Sequence, residues 1–236
     1  MLVGSLVSSY FDWWNGSPEQ FHFVREGAFS DYSLGIDKIG HAYTSYFYFN
    51  VFRNLMLWGG YDKVSAFWWA AGTTGFFALS VEIGDGVSPY GFSYEDLAFN
   101  MGGLCFGMLR AEVPFLQNFG FKWSYVPYDG YRWPPHFTDH YDGHTYWLTI
   151  NVHNLLPASL NRFWPELIQL AFGYGVEENS TRRKAVIGLD FNLGALPVTN
   201  EDVALVQKTI DMIHFPAPGI KFQEGKKPEF SLFYLH

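Results

Sequence analysis

Val64-Ser65-Ala66-Phe67-Trp68-Trp69-Ala70-Ala71-Gly72-Thr73-Thr74-Gly75-Phe76-Phe77-Ala78-Leu79-Ser80-Val81 runs for eighteen positions without a charge, then meets Glu82 and the break Gly84-Asp85-Gly86. A bilayer-spanning helix needs about 20 apolar residues, so this run sits at the lower edge of that length. Its small residues, Ala70 to Gly75, are those that let apolar helices approach closely in lipid. Asp62 stands where a cap would start the helix. Upstream, the spacing from Asp37 to Trp58 is helical and stops at Gly59-Gly60, a carboxyl-end signal. Downstream, Ser93-Tyr94-Glu95-Asp96 has the form of a capping box, and an uncharged run follows from Leu97 to Leu109, ending near Pro114. The segment before Arg25 is rich in aromatics and broken by Asn15-Gly16-Ser17-Pro18, which reads as a short helix or interfacial piece followed by a loop.

After Phe115 the rhythm changes to period two, in Phe119, Phe121, Trp123, Tyr125 and again in Tyr146, Leu148, Ile150, Val152. Further strand candidates are Glu166 to Tyr174, Lys184 to Leu193 and Glu229 to Leu235, with a short helix from Asn200 to Ile213. The expected class is therefore α+β: an N-terminal bundle of about three to four apolar, membrane-associated helices (1–115) followed by a β-rich C-terminal half with one short helix (116–236). About five strands are too few for a closed membrane barrel, which needs at least eight.

Composition points the same way. Aromatics are 20% and charged residues 16%, against about 25% charged in ordinary soluble domains. That leaves little charge to coat a water-facing surface. The net charge of -8, with no basic run longer than Arg182-Arg183-Lys184, excludes a nucleic-acid partner. The single Cys105 excludes a disulfide framework and any cysteine-rich metal site. No Lys or Arg precedes Arg25, so an exported chain would carry these residues after its signal had been removed.

Polar groups collect at the ends of the apolar helices. Asp37 and His41 are four apart, as are Asp96 and Asn100, which places each pair on one helical face. Glu82 and Asp85 end the second helix and Ser93 opens the third. Unpaired, such groups would be expensive in apolar surroundings, so they are expected to meet. Two readings stay open. One is a hydrogen-bonded polar knot that holds the helices. The other is a site with His41 as acid or base, oriented by Asp37, and with Glu82, Asp85 or Asp96 binding a lipid headgroup or a hard cation such as calcium or magnesium. A second imidazole-rich stretch, His136, His140 and His144, could suit zinc or copper, or simply form a turn. His153 and His214 read as satisfied core or interface residues. No spacing specifies a cofactor.

Asp37-Lys38-Ile39-Gly40-His41-Ala42-Tyr43, Glu82-Ile83-Gly84-Asp85-Gly86-Val87-Ser88-Pro89 and Gly91-Phe92-Ser93-Tyr94-Glu95-Asp96, with Asn100 and Gly103, resemble the YfiM-like family of periplasmic lipoproteins, a domain of unknown function (2279). The order of a D-K-x-x-H helix, a Glu-bearing helix and a D-x-x-x-N helix is distantly similar to the VanZ-like membrane proteins. Asp142 to Leu148 and Phe172-Gly173-Tyr174-Gly175 resemble the longer envelope members of the first family, which carry Asp where His140 stands and Gln where His144 stands. The resemblance implies the cell envelope, at the outer membrane facing the periplasm, and no reaction. The leading expectation is a non-catalytic subunit or lipid-contacting scaffold of a membrane assembly, with membrane lipid and envelope proteins as partners. The alternative is a membrane hydrolase or transferase acting on a lipid or cell-wall precursor through His41 and nearby acids.

Overall fold

The computed structural model describes Trp14 and residues 18–127 and 141–235. These fall into two compact units that are interleaved in sequence. The first takes residues up to Asp31 together with Lys38–Met108, and the second takes Tyr32–Asp37 together with the chain from Leu109 onward.

In the first unit, strand β1 (Phe23–Val24) is followed by helices α1 (Ile36–Trp58) and α2 (Lys63–Gly86), strand β2 (Phe92–Ser93) and helix α3 (Tyr94–Glu112). β1 and β2 pair in parallel. The turn between α1 and α2 places Gly60 at φ +84°, a conformation that costs a residue without Cβ nothing. The Asp62 carboxylate then accepts from the backbone N–H groups of Val64 and Ser65, satisfying two donors that open α2. α1 and α3 touch backbone to backbone at Gly103, where a Cβ would lie 1.8 Å from the Ala42 carbonyl oxygen. Beside that contact Phe49 is fully buried and meets Phe67 of α2 edge to face, at 5.6 Å between centroids.

This arrangement corrects the expected bundle of three to four apolar membrane-associated helices. Among the described residues only α2 is long and apolar enough to cross a membrane, by length and composition. α1 carries Lys38, His41, Asn50, Arg53 and Asn54, and α3 carries Glu95, Asp96, Asn100, Arg110 and Glu112, so neither is a continuous apolar cylinder. The uncharged runs in the sequence are flanked at one end by Lys38, His41, Glu82, Asp96 and Asn100, which meet inside the unit.

The second unit is a six-stranded antiparallel meander: β3 (Phe119–Tyr125), β4 (His144–Ile150), β5 (Ile168–Glu177), β6 (Arg182–Phe191), β7 (Ala217–Gln223) and β8 (Glu229–Tyr234). Two one-turn helices, α4 (Val152–Leu155) and α5 (Ala158–Asn161), join β4 to β5, and α6 (Glu201–Ile210) lies between β6 and β7. The strand missing from the five expected is β7. Across the sheet one inward row reads Gly120, Thr149, Ala171, Gly188, Gly219, Ser231, each paired with the next. Such small side chains allow the sheet to curl tightly around its inner face. The edge strand β3 is tied to later segments: the Trp123 N–H donates to the Met212 carbonyl, the His214 N–H donates to the Trp123 carbonyl, and Ser124 Oγ donates to the carbonyl of Leu235 beyond β8.

The two faces divide the chemistry in an unusual way. Inside, Trp147, Ala171, Val186 and Tyr234 form a small apolar cluster. Around it Lys122, Ser124, Thr145, Thr149, Gln169, Lys184, Asp190 and Gln223 are also buried. Lys122 Nζ lies 2.7 Å from Asp190 Oδ2 and 2.9 Å from Asp211 Oδ1 and donates to the Phe191 carbonyl. His214 Nδ1 lies 3.1 Å from Asp190 Oδ1, and its ring stacks on Trp147 at 3.8 Å between centroids. Burial would raise the Asp190 carboxyl, but the hydrogen bond from His214 and the charge of Lys122 hold it below its ordinary value.

Candidate functional site: a buried ion cluster in the helical unit

The D-K-x-x-H stretch lies on the first turns of α1, the acid at the end of α2 is Glu82, and the first turns of α3 carry Asp96 and Asn100. Ser93 starts α3 by accepting the Asp96 N–H on its hydroxyl at 3.1 Å. These local choices bring four of the sequence-expected residues into one cluster. Asn100 is its centre. Its Oδ1 accepts from Ser45 Oγ at 2.8 Å, and its amide nitrogen donates to Glu82 Oε1 and to His41 Nδ1, each at 3.0 Å. Both amide hydrogens are thus used, and the network assigns the imidazole proton to Nε2, which is 3.9 Å from Asp96 Oδ1.

A residue that the sequence reading quoted but gave no role forms the second centre. Lys38 has no exposed surface, and its ammonium lies 2.7 Å from Asp96 Oδ1, ion-pairs with Glu26 and lies 3.8 Å from Asp31 Oδ2. Three carboxylates converge on this one fixed ammonium, which supplies the positive charge a cation would bring. The D-K-x-x-H pattern contains Lys38, but helical spacing pairs it with none of its three carboxylates. Glu26 and Asp31 lie in the irregular segment before α1 and had no periodic context.

Glu82 is 1% exposed, and its carboxyl is pushed up to about 8. Burial is the main cause; His41 pulls it down, Asp96 and Asp85 push it up, and the Ser93 backbone N–H pulls it down. Asp85 acts on Glu82 through its charge while its own Oδ1 accepts from Trp14 Nε1 at 2.8 Å. Asp37 stands one turn before His41 on α1; its backbone N–H donates to Ser33 Oγ and its Oδ1 accepts from the Tyr141 hydroxyl at 3.0 Å.

The imidazole-rich loop divides. His136 and His140 lie outside the described residues. His144 is buried on β4, where its Nδ1 accepts from Trp123 Nε1 at 3.0 Å and its ring lies 4.9 Å from that of Tyr125. That nitrogen is committed to an aromatic cluster.

The helical unit is therefore a three-helix assembly closed around buried ions. Residues 25–112, which include Lys38, His41, Glu82, Asp96 and Asn100, match the model of a family described as predicted periplasmic lipoprotein (DUF2279). The match ends before the sheet. The description fits a protein of the cell envelope that faces the periplasm, and the family's function is unknown. No curated protein and no solved structure matches the chain.

Proposed function

We propose that the protein is a non-catalytic component of the envelope, held on the periplasmic side of the outer membrane, in which the cluster around Lys38 and His41 clamps three helices and transforms no substrate. The observation that carries this reading is the shared amide of Asn100: it occupies both His41 Nδ1 and Glu82 Oε1, the two atoms that would serve as bases. The remaining imidazole nitrogen faces Asp96, which is itself paired with Lys38.

The test is a pair of substitutions. His41→Ala leaves an amide hydrogen of Asn100 without its acceptor, a loss of about 1–3 kcal/mol. His41→Gln offers an oxygen in its place. The expected result is that abundance falls with Ala, recovers with Gln, and that any cellular phenotype follows abundance in both. A normally abundant, well-folded His41→Gln protein that has lost its cellular role would overturn the reading and favour a hydrolase or transferase. For the location, the chain should sediment with outer-membrane markers on a density gradient; banding with the inner membrane would overturn that placement.

A further inference from the structure

The outer face of the curled sheet carries one unbroken apolar row. Phe121, Leu148, Phe172, Ile187, Ile220 and Phe230 come from six successive strands, each paired in register with the next. Leu148 is 45% exposed, Phe172 39%, Ile187 48%, Ile220 39% and Phe230 66%. On the inner face, meanwhile, two lysines, an aspartate and a histidine are buried with almost no exposure. In a water-soluble β fold the period-two alternation turns the apolar set inward and the polar set outward. Here the sheet withdraws Lys122, Lys184 and Asp190 from solvent and displays Phe, Leu and Ile along this row.

We propose that this row is a lipid-contacting surface, seated in the hydrocarbon of a bilayer. A protein partner would cover one side of the unit. The row, however, follows the sheet through its curl, from β3 to a β8 whose far end is tied back to β3 through Ser124, with His214 bonded both to Trp123 and to the Tyr234 carbonyl. An apolar belt that turns with a curled sheet faces outward in many directions, which suits a surrounding medium. The polar interior suits it too, because outward apolar and inward polar residues are the alternation of strands whose outer solvent is hydrocarbon. The bridge of Met212–His214 onto β3 also pairs the Trp123 N–H and carbonyl, backbone groups that lipid could not satisfy. The inference deepens the envelope placement proposed above but stands on the sheet alone, so it can fail while the clamp reading of the helical unit holds.

The experiment is flotation of the purified full chain with vesicles of neutral phosphatidylcholine, formed by detergent dilution, for the wild type, Ile187→Asp and Phe230→Ser. Val206→Asp, at an exposed apolar position of α6 away from the row, is the control. The wild type and the control are expected to float. A charge in hydrocarbon costs enough that Ile187→Asp should partition about 30-fold less well or worse. Phe230→Ser, a milder change on the edge strand, should show a smaller loss in the same direction, with near-UV circular dichroism unchanged. Flotation of Ile187→Asp equal to wild type would overturn the proposal. So would a detergent-free wild-type dimer that Ile187→Asp converts to monomer, since the row would then be covered by a second copy.

Discussion

Lys38 Nζ lies 2.7 Å from Asp96 Oδ1, and this pair ties the start of α1 to the start of α3 with no solvent on the lysine. Removing the ammonium takes away the charge that Asp96, Asp31 and Glu26 share. Lys38→Met is therefore expected to cost about 3–5 kcal/mol, the loss typical of breaking a buried ion pair from one side. Urea unfolding checks it. Asp96→Asn in the Lys38→Met background should recover part of the loss, and strict additivity of the two changes would show that they do not act through each other.

Glu82 gives the helical unit a pH dependence whose sign is fixed by its raised carboxyl. Its folded value of about 8 lies above the ordinary 4.5, so between those values the folded protein holds a proton that the unfolded chain has released. Stability contributed by this group is fully present below about 4.5 and is lost as pH rises through about 8. Glu82→Gln keeps an oxygen for Asn100 and does not titrate. The stability difference, variant minus wild type, should grow as pH rises through that window. Denaturant midpoints that shift in parallel for both proteins would contradict the assignment.

Two adjacent glycines on α3 should respond in opposite senses. A Cβ at Gly103 would collide with the Ala42 carbonyl oxygen at 1.8 Å, whereas at Gly102 it would meet nothing within 4 Å. Gly102→Ala is expected to stabilise by up to about 1 kcal/mol through helix propensity. Gly103→Ala forces α1 and α3 apart and should cost about 1–3 kcal/mol or more, as overpacking does. Thermal unfolding of the two variants side by side decides the matter.

Inside the sheet, Lys122 neutralises both Asp190 and Asp211. Lys122→Met should destabilise by about 3–5 kcal/mol. Asp190, held below its ordinary value, contributes stability above the unfolded carboxylate range that is lost as pH falls through its depressed folded value. Asp190→Asn should accordingly flatten the acid limb of the stability profile. A Lys122→Met protein as stable as the wild type would show that the interior tolerates the two carboxylates without it.

Local signals in the sequence carried the helix ends. Gly59-Gly60, Asp62 and Ser93 act within one turn of themselves, and the structure places the end of α1 and the starts of α2 and α3 at them. Spacings of four likewise put His41 and Asn100 on usable faces, since a helix fixes that geometry without reference to anything distant. Lys38 was not legible, because its three carboxylates come from other parts of the chain. Nor was the orientation of the sheet. Period two in Phe119, Phe121, Trp123 and Tyr125 says that two faces differ, but not which one looks inward, and here Lys122 does. β7 carries no period-two signal because Pro216, Pro218 and Gly219 interrupt it, and the register does shift between Ala217 and Gly219.

Tyr32–Asp37 belongs to the sheet-bearing unit although the chain on either side of it does not. Within that unit the Leu34 carbonyl accepts from the Tyr174 hydroxyl, and Asp37 accepts from Tyr141. The six residues also fall inside the segment that matches the lipoprotein family. A fragment cut anywhere after α3 would therefore carry every strand of the sheet and still lack a piece of its own wall. Neither unit is one contiguous stretch of chain, so no single cut separates the two intact.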